Sequence, residues 1–475
     1  MVLVGAVLLA WPLLANRGVF LFSDSGPYLT AGRAAANAVS GLPGRLLNRQ
    51  PAVQRATPKP AAPVQTAERG ANSNRSPWYG LLAWLARGLA GLPALAAVQA
   101  LWAAAVAVVL MPALGIGRPG AQLAVLALRA LGTSTGVFAA IVMPDLWLGL
   151  GAAAMLALLV MGDRLGTWER WFLLATLAFA ALSHKATLAT LAATLAVLLL
   201  LRRAGDWRRV AAILAVAAAL LAAVPVLNRS LRGAATAPPP FLLARMIGDG
   251  TAAQVLARDC AAPRPGLNSA PPRWALCRYL PHMPMTADEF LWDLKRDLPW
   301  AALPLPQQLV LAREEQPMLM AVMARHPGAQ LGASLRNSID QLANHDLGEF
   351  GVAYIKGSLA PSMDNPSLRA DMLAWQTTAA GTGRFPFAPL SAFWLAVHVA
   401  ALAVIGAALR WRHAMPGHLA ALALAVPLLL VINAAVHGAL SGSHGRYQAP
   451  LQGLTLLAAA ALMPYVWRKL RRAAA

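Results

Sequence analysis

Residues Met143 to Lys185 read MPDLWLGLGAAAMLALLVMGDRLGTWERWFLLATLAFAALSHK. Two apolar runs, 145–161 and 168–183, are joined by a short connection that carries Arg164 and Arg170. The far ends of the pair close on ionisable groups: Asp145 after Met143-Pro144 on one side, Ser183-His184-Lys185 on the other. Runs this apolar, with charge confined to the connections, read as membrane spans.

The same alternation continues in both directions. Further candidate spans run near 2–21, 94–114, 121–142, 186–201, 209–227, 389–409, 418–436 and 448–466. Basic clusters fall at every second connection: Arg118, then Arg164 with Arg170, then Arg202, Arg203, Arg208 and Arg209, then Arg410 and Arg412, then Arg468, Lys469, Arg471 and Arg472. The positive-inside rule places all of them in the cytoplasm, which gives cytoplasmic termini and about ten spans. The first segment reads as an uncleaved signal-anchor, since it has no basic n-region and no clear small-residue cleavage site. Composition agrees, with 58% hydrophobic and only 12% charged residues, where a soluble domain carries about 25%. A net charge of +21 would suggest nucleic acid in a soluble protein. Here it encodes topology and contact with membrane lipid, so no nucleic-acid partner is expected.

The expected fold is therefore an all-α polytopic membrane protein of about ten transmembrane helices, with a large outer loop domain of short helices. Residues 1–227 form an N-terminal transmembrane region, 228–388 an external domain, and 389–475 a C-terminal transmembrane region. The first outer loop covers 23–76, of which 42–75 offers no apolar periodicity to bury and reads as poorly ordered. The stretch PWYGLLAWLARGLAG at 77–91 is too short to cross, contains Arg87 and carries Trp78, Tyr79 and Trp84. It reads as an interfacial helix on the outer surface. Within 228–388, Trp274, Trp292, Trp300 and Trp375 support a small folded unit, with helices predicted around Asp288–Leu298 and Leu305–Arg325. The two cysteines, Cys260 and Cys277, both lie in this outer segment. An oxidising compartment favours a disulfide between them, although spacing alone leaves two free thiols open.

In this threading Asp24, Asp145, His184, Lys185, His444, Arg446 and Tyr447 all stand at outer ends of spans. Ionisable groups there usually mark a site. A carboxylate can accept the proton of an attacking hydroxyl. Lysine and arginine can neutralise a leaving phosphate. Each residue also has a plain structural explanation. Asp24 and Asp145 can cap the helices that follow them, His184-Lys185 can be the polar turn of a hairpin, His444 a loop histidine, and Arg446 with Tyr447 boundary anchors. No Walker loop, HExxH, CxxC or GxSxG occurs, and the histidines lack metal-ligand spacing. No metal ligand set is expected, and a divalent metal held by Asp24 with a second carboxylate stays open as an alternative.

The order of these residues resembles the GT-C superfamily of membrane glycosyltransferases, especially the bacterial branch related to protein O-mannosyltransferases and lipid A aminoarabinose transferase. Asp24 in FSDSGPYL matches the acidic residue that opens the first outer loop in that branch. Arg75-Ser76-Pro77-Trp78-Tyr79 is similar to its Pro-rich aromatic lead-in to an interfacial helix, with one proline where the family has two. Pro144-Asp145-Leu146 corresponds to a later span-opening aspartate. Leu182-Ser183-His184-Lys185-Ala186 corresponds to a lysine turn, with Ala in place of Gly after the lysine, and Arg446-Tyr447-Gln448-Ala449-Pro450 to a terminal Arg-Tyr motif. The resemblance implies a polyprenyl-phosphate sugar donor, a glycan, lipid or protein acceptor, and action at the outer face of the bacterial cytoplasmic membrane. It further implies Asp24 as general base, with Asp145 as a second catalytic carboxylate. Lys185 and Arg446, flanked by His184 and Tyr447, would then bind the donor phosphate. The alternatives are an O-antigen polymerase or ligase and a transporter or flippase for lipid-linked glycans. A transporter should place polar groups or broken helices near the midplane, where only Arg129 is expected.

Overall fold

Pro12 and Asn16 decide how the first apolar segment ends. Helix α1 (Val2–Leu9) gives way to α2 (Trp11–Asn16), which carries Pro12 in its first turn, and Arg17 then takes a left-handed conformation with φ 58°. The buried Asn16 side chain donates to the carbonyls of Gly18 and Val19 and accepts from the backbone N–H of Ala380, so it satisfies groups that a continuing helix would have bonded. The expected span 2–21 is therefore helical only to Asn16, and residues beyond it run extended to a bridge between Phe20 and Ile141. The computed structural model describes residues 1–39, 75–201, 206–232, 237–261, 273–293, 299–352, 355 and 365–474. Of the tract 42–75, read above as poorly ordered, residues 42–74 lie outside the described residues and Arg75 is described.

Every regular element among the described residues is helical. After α3 (Ser25–Val39) come α4 (Pro77–Ala90), α5 (Leu92–Ala113), α6 (Pro119–Gly132), α7 (Thr135–Ala140), α8 (Asp145–Val160), α9 (Thr167–Ser183), α10 (Lys185–Leu200) and α11 (Trp207–Arg232). α3 and α4 cross at Gly32 and Gly80, where a Cβ on Gly32 would stand 1.9 Å from the Gly80 carbonyl oxygen. Only glycine permits that approach. α4 buries Tyr79, Gly80, Ala83, Trp84 and Ala86, so the predicted interfacial helix has a well-packed inner face. The expected span 121–142 is broken between α6 and α7, and the break is lined with polar groups. Thr133 Oγ1 donates to Arg129 O at 2.5 Å, Ser134 Oγ to Ala449 O at 2.9 Å, and Ser134 N to Gln452 Oε1 at 3.0 Å. The buried Arg129 donates to the carbonyl of Ala103.

Next follow α12 (Phe241–Gly248), α13 (Thr251–Ala261), α14 (Ala287–Trp292), α15 (Leu305–Arg325) and α16 (Pro327–Ala343), and then α17 (Arg369–Gln376), α18 (Phe387–Arg410), α19 (Gly417–Leu440) and α20 (Gln452–Ala474). The predicted helix Leu305–Arg325 is found, and that around Asp288–Leu298 is described as Ala287–Trp292. The chain divides into two compact units, one formed by 1–227, 345–432 and 445–475, the other by 228–344 and 433–444. The first segment of the second unit thus ends at Asn344, and the described part of 345–388 belongs with the apolar helices of the first unit. Among the described residues, five stretches are long and apolar enough to cross a membrane: Leu92–Ala113, Trp207–Val224, Phe387–Arg410, Gly417–Leu440 and Gly445–Arg472. Val2–Asn16, Asp145–Val160 and Lys185–Leu200 are apolar but shorter. At 1.5 Å per residue, the first of these covers roughly 22 Å of the about 30 Å hydrocarbon core.

The second unit folds around Leu243, Ile247, Leu256, Tyr279, Phe290 and Leu311. Two half-buried acids of α15 tie it together: Glu314 accepts from the N–H groups of Ala275 and Leu276, Glu315 from those of Leu242 and Leu243 at the start of α12. Cys260 and Cys277 are joined in a disulfide with Cα atoms 5.7 Å apart, as the outer-loop argument expects. The bond closes a loop over a sequence separation of 17, for which the chain-entropy relation gives about 3 kcal/mol. Replacing both cysteines with serine should lower the denaturation midpoint accordingly in non-reducing buffer. An unchanged midpoint would show that the loop is already restrained by its other contacts.

Candidate active site

The bridge between Phe20 and Ile141 does the first work of assembly. Phe20 N donates to Ala140 O and Val142 N to Phe20 O, each at 3.0 Å. The Ser25 hydroxyl then accepts from Phe22 N and donates to Val142 O, both at 2.9 Å. The turn that carries Asp24 is thereby fixed beside the segment leading into Asp145. Asp145 is the first residue of α8 rather than its cap, because Pro144 holds the cap position. A carboxylate there sits in the favourable field of the helix N-terminus. Asp24 directly precedes α3, and its carboxylate is ion-paired with Arg75.

Ser76 links this pair to the third island. Its hydroxyl caps α4 by accepting from Trp78 N and donates at 2.6 Å to Leu182 O, next to His184 and Lys185. The charge of Arg75 reaches Lys185 across this junction. The Arg75 guanidinium stands 6.0 Å above the ring of Tyr28, which meets the Tyr79 ring edge-on at 5.2 Å. Burial works against the Arg75 charge, but Asp24 and Tyr28 more than offset it and raise its pKa. Burial also pushes the Tyr28 phenol well above its ordinary value, so Tyr28 presents a neutral hydroxyl.

Arg446 is the second centre. A Cβ at Gly445 would fall 1.8 Å from the carbonyl oxygen of Asp346, so a glycine is required where the chain presents Arg446. Arg446 N donates to Glu349 Oε1 at 2.9 Å, and its Nε stands 3.7 Å from Glu349 Oε2. Its Nη1 lies 3.9 Å from Asp145 Oδ1, and its Nη2 donates to the Tyr447 hydroxyl at 3.0 Å. The guanidinium covers the ring of Phe22 at 4.4 Å and that of Tyr447 at 4.7 Å. The Arg446, Asp145 and Glu349 side chains are only 10–12% exposed. Asp145 Oδ2 is buried and has no hydrogen-bond partner among the described residues.

Asp24, Asp145, Arg446 and Tyr447 are therefore drawn together, with Asp24 in electrostatic range of both Asp145 and Arg446. His184 and Lys185 adjoin them through Ser76. His444 belongs to the second unit, where it stands 3.7 Å from Asp288. Three participants were missed as site residues from sequence. Arg75 appeared only within a matched motif, and Tyr28 lies one helical turn beyond Asp24 on α3, a signal that was there to find. Glu349 sits among many acids of a long loop, and nothing in its local sequence marks it. Among the described residues no group of three His, Cys, Asp or Glu is arranged to hold a metal. The chain matches no family model, no curated protein and no solved structure.

Proposed function

We propose that this protein is a GT-C-type membrane glycosyltransferase that moves a sugar from a polyprenyl-phosphate donor to an acceptor hydroxyl at the outer face of the bacterial cytoplasmic membrane. The observation that carries the reading is the gathering of Asp24, Asp145 and Glu349 with Arg75 and Arg446 in one buried cluster, from segments spread over nearly the whole chain. The acceptor oxygen attacks the anomeric carbon while the bond from that carbon to the phosphate oxygen breaks. The bonding pair leaves on polyprenyl phosphate, and the hydroxyl proton passes to Asp24. Lys185 and Arg446 neutralise the departing phosphate, and Arg75 orients Asp24. The three shorter apolar helices, together with α6 and α9, complete a bundle of about ten spans, with the predicted orientation.

The purified protein, incubated with polyprenyl-phosphate sugars and an acceptor extract, should release free polyprenyl phosphate. Intact donor at the end of the incubation would refute the reading. The break between α6 and α7, with Arg129, Thr133 and Ser134 buried around it, supports a second reading as a transporter of lipid-linked glycans. That activity would move labelled donor across a vesicle membrane without cleaving it.

A further inference from the structure

Helix α16 is amphipathic the wrong way round for a protein in water. Its inner face is polar. Gln330 donates to Asp249 and accepts from Thr251, Asn337 donates to Asp249, and Gln341 donates to His444 O and accepts from His444 N. Its outer face carries Leu331, Leu335, Ile339 and Leu342, which are 61%, 63%, 59% and 39% exposed. At 100° per residue these four fall within about 80° of arc, a continuous apolar stripe opposite the hydrogen-bonded side. In water such a stripe has nothing to bury against, and contiguous exposed apolar patches mark interaction surfaces.

The helix is also fixed against a candidate span. α19 approaches it at Gly438, where a Cβ would lie 2.6 Å from both Asn337 O and Ser338 N. Leu440, at the end of α19, is itself 47% exposed. The middle of α16 thus lies against the last turn of a helix long and apolar enough to cross a membrane. Charge is kept to the flank: Arg336 and Asp340 are exposed on the same helix but lie off the stripe.

We infer that α16 is a monotopic membrane helix that seats Leu331, Leu335, Ile339 and Leu342 among the acyl chains of the leaflet at the Leu440 end of α19. The occupant of the stripe is lipid, and part of the segment read from sequence as an external domain is held in the bilayer surface. Helices of this kind bury their apolar face about 5–10 Å into the boundary between headgroups and acyl chains. The inference is independent of the catalytic reading and needs only that α19 crosses the membrane.

Both native cysteines are held in the disulfide, so a cysteine added at one position is a unique labelling site. The full chain in lipid nanodiscs, with an environment-sensitive fluorophore at Ala329→Cys, Leu331→Cys, Leu335→Cys, Ile339→Cys, Asp340→Cys or Leu342→Cys in turn, separates the outcomes. The expected result is quenching by a lipid nitroxide near the headgroup end of the acyl chain that is several-fold stronger at 331, 335, 339 and 342 than at 329 and 340. Iodide in the buffer should give the reverse pattern. Iodide access along the stripe equal to that at 329 and 340 would overturn the inference, because the stripe would then face water. Protection from both quenchers would overturn it too, because a protein surface or a second copy would then cover the helix.

Discussion

Asp24→Asn should lower turnover by about 100-fold or more, while the protein inserts and binds the lipid donor as before. Asparagine keeps the size of the side chain and an oxygen that can accept from Arg75, and removes the capacity to take a proton together with the charge that pairs with Arg75. The helix-cap explanation of Asp24 expects no loss, since asparagine caps as well as aspartate. Single-turnover release of polyprenyl phosphate separates the two. If Asp24→Asn turns over normally, the proton acceptor is another group. Asp145, with a buried oxygen that has no hydrogen-bond partner among the described residues, is the next to test.

Arg446→Ala should be the most damaging substitution for stability. It removes the cation held between Asp145 and Glu349 and leaves two buried carboxylates facing one another. Breaking a buried ion pair on one side costs about 3–5 kcal/mol, which chemical denaturation in detergent would register as a large drop in midpoint. Combining Arg446→Ala with Glu349→Gln removes one of the stranded charges and should return part of that stability. Donor cleavage should stay lost in the double variant, because the phosphate-neutralising group is still missing. Recovery of activity along with stability would mean that Arg446 serves only to hold the fold.

The membrane class of the chain is legible because hydrocarbon and charge are segregated along the sequence, as in the quoted 143–185 hairpin. Span ends were harder to read. Asn16 and Ser134 stand where apolar runs end or break and are bonded through their side chains to distant backbone, the Ala380 N–H for Asn16 and the Ala449 carbonyl for Ser134, which no local window contains. The carboxylates at the ends of apolar runs and Arg446 could be picked out because an ionisable group beside a long apolar run is conspicuous. Glu349 could not, because its importance comes from the return of 345–432 to the first unit, a fact of tertiary packing. His444 was drawn in by proximity to Arg446 in sequence, yet the boundary between the units falls between His444 and Gly445.

That interrupted path, in which the first unit is begun, left for the second and then resumed, has a consequence in time. Asp24 and Asp145 are synthesised before Arg446, which emerges 422 residues after Asp24. At about 5–20 residues per second, roughly 20–80 s separate the emergence of Asp24 from that of Arg446. Within that interval the nascent bundle carries Asp145, and later Glu349, without their shared cationic partner. On the proposed function, a ribosome-bound chain is therefore chemically silent, however well its helices have inserted, until Arg446 has emerged.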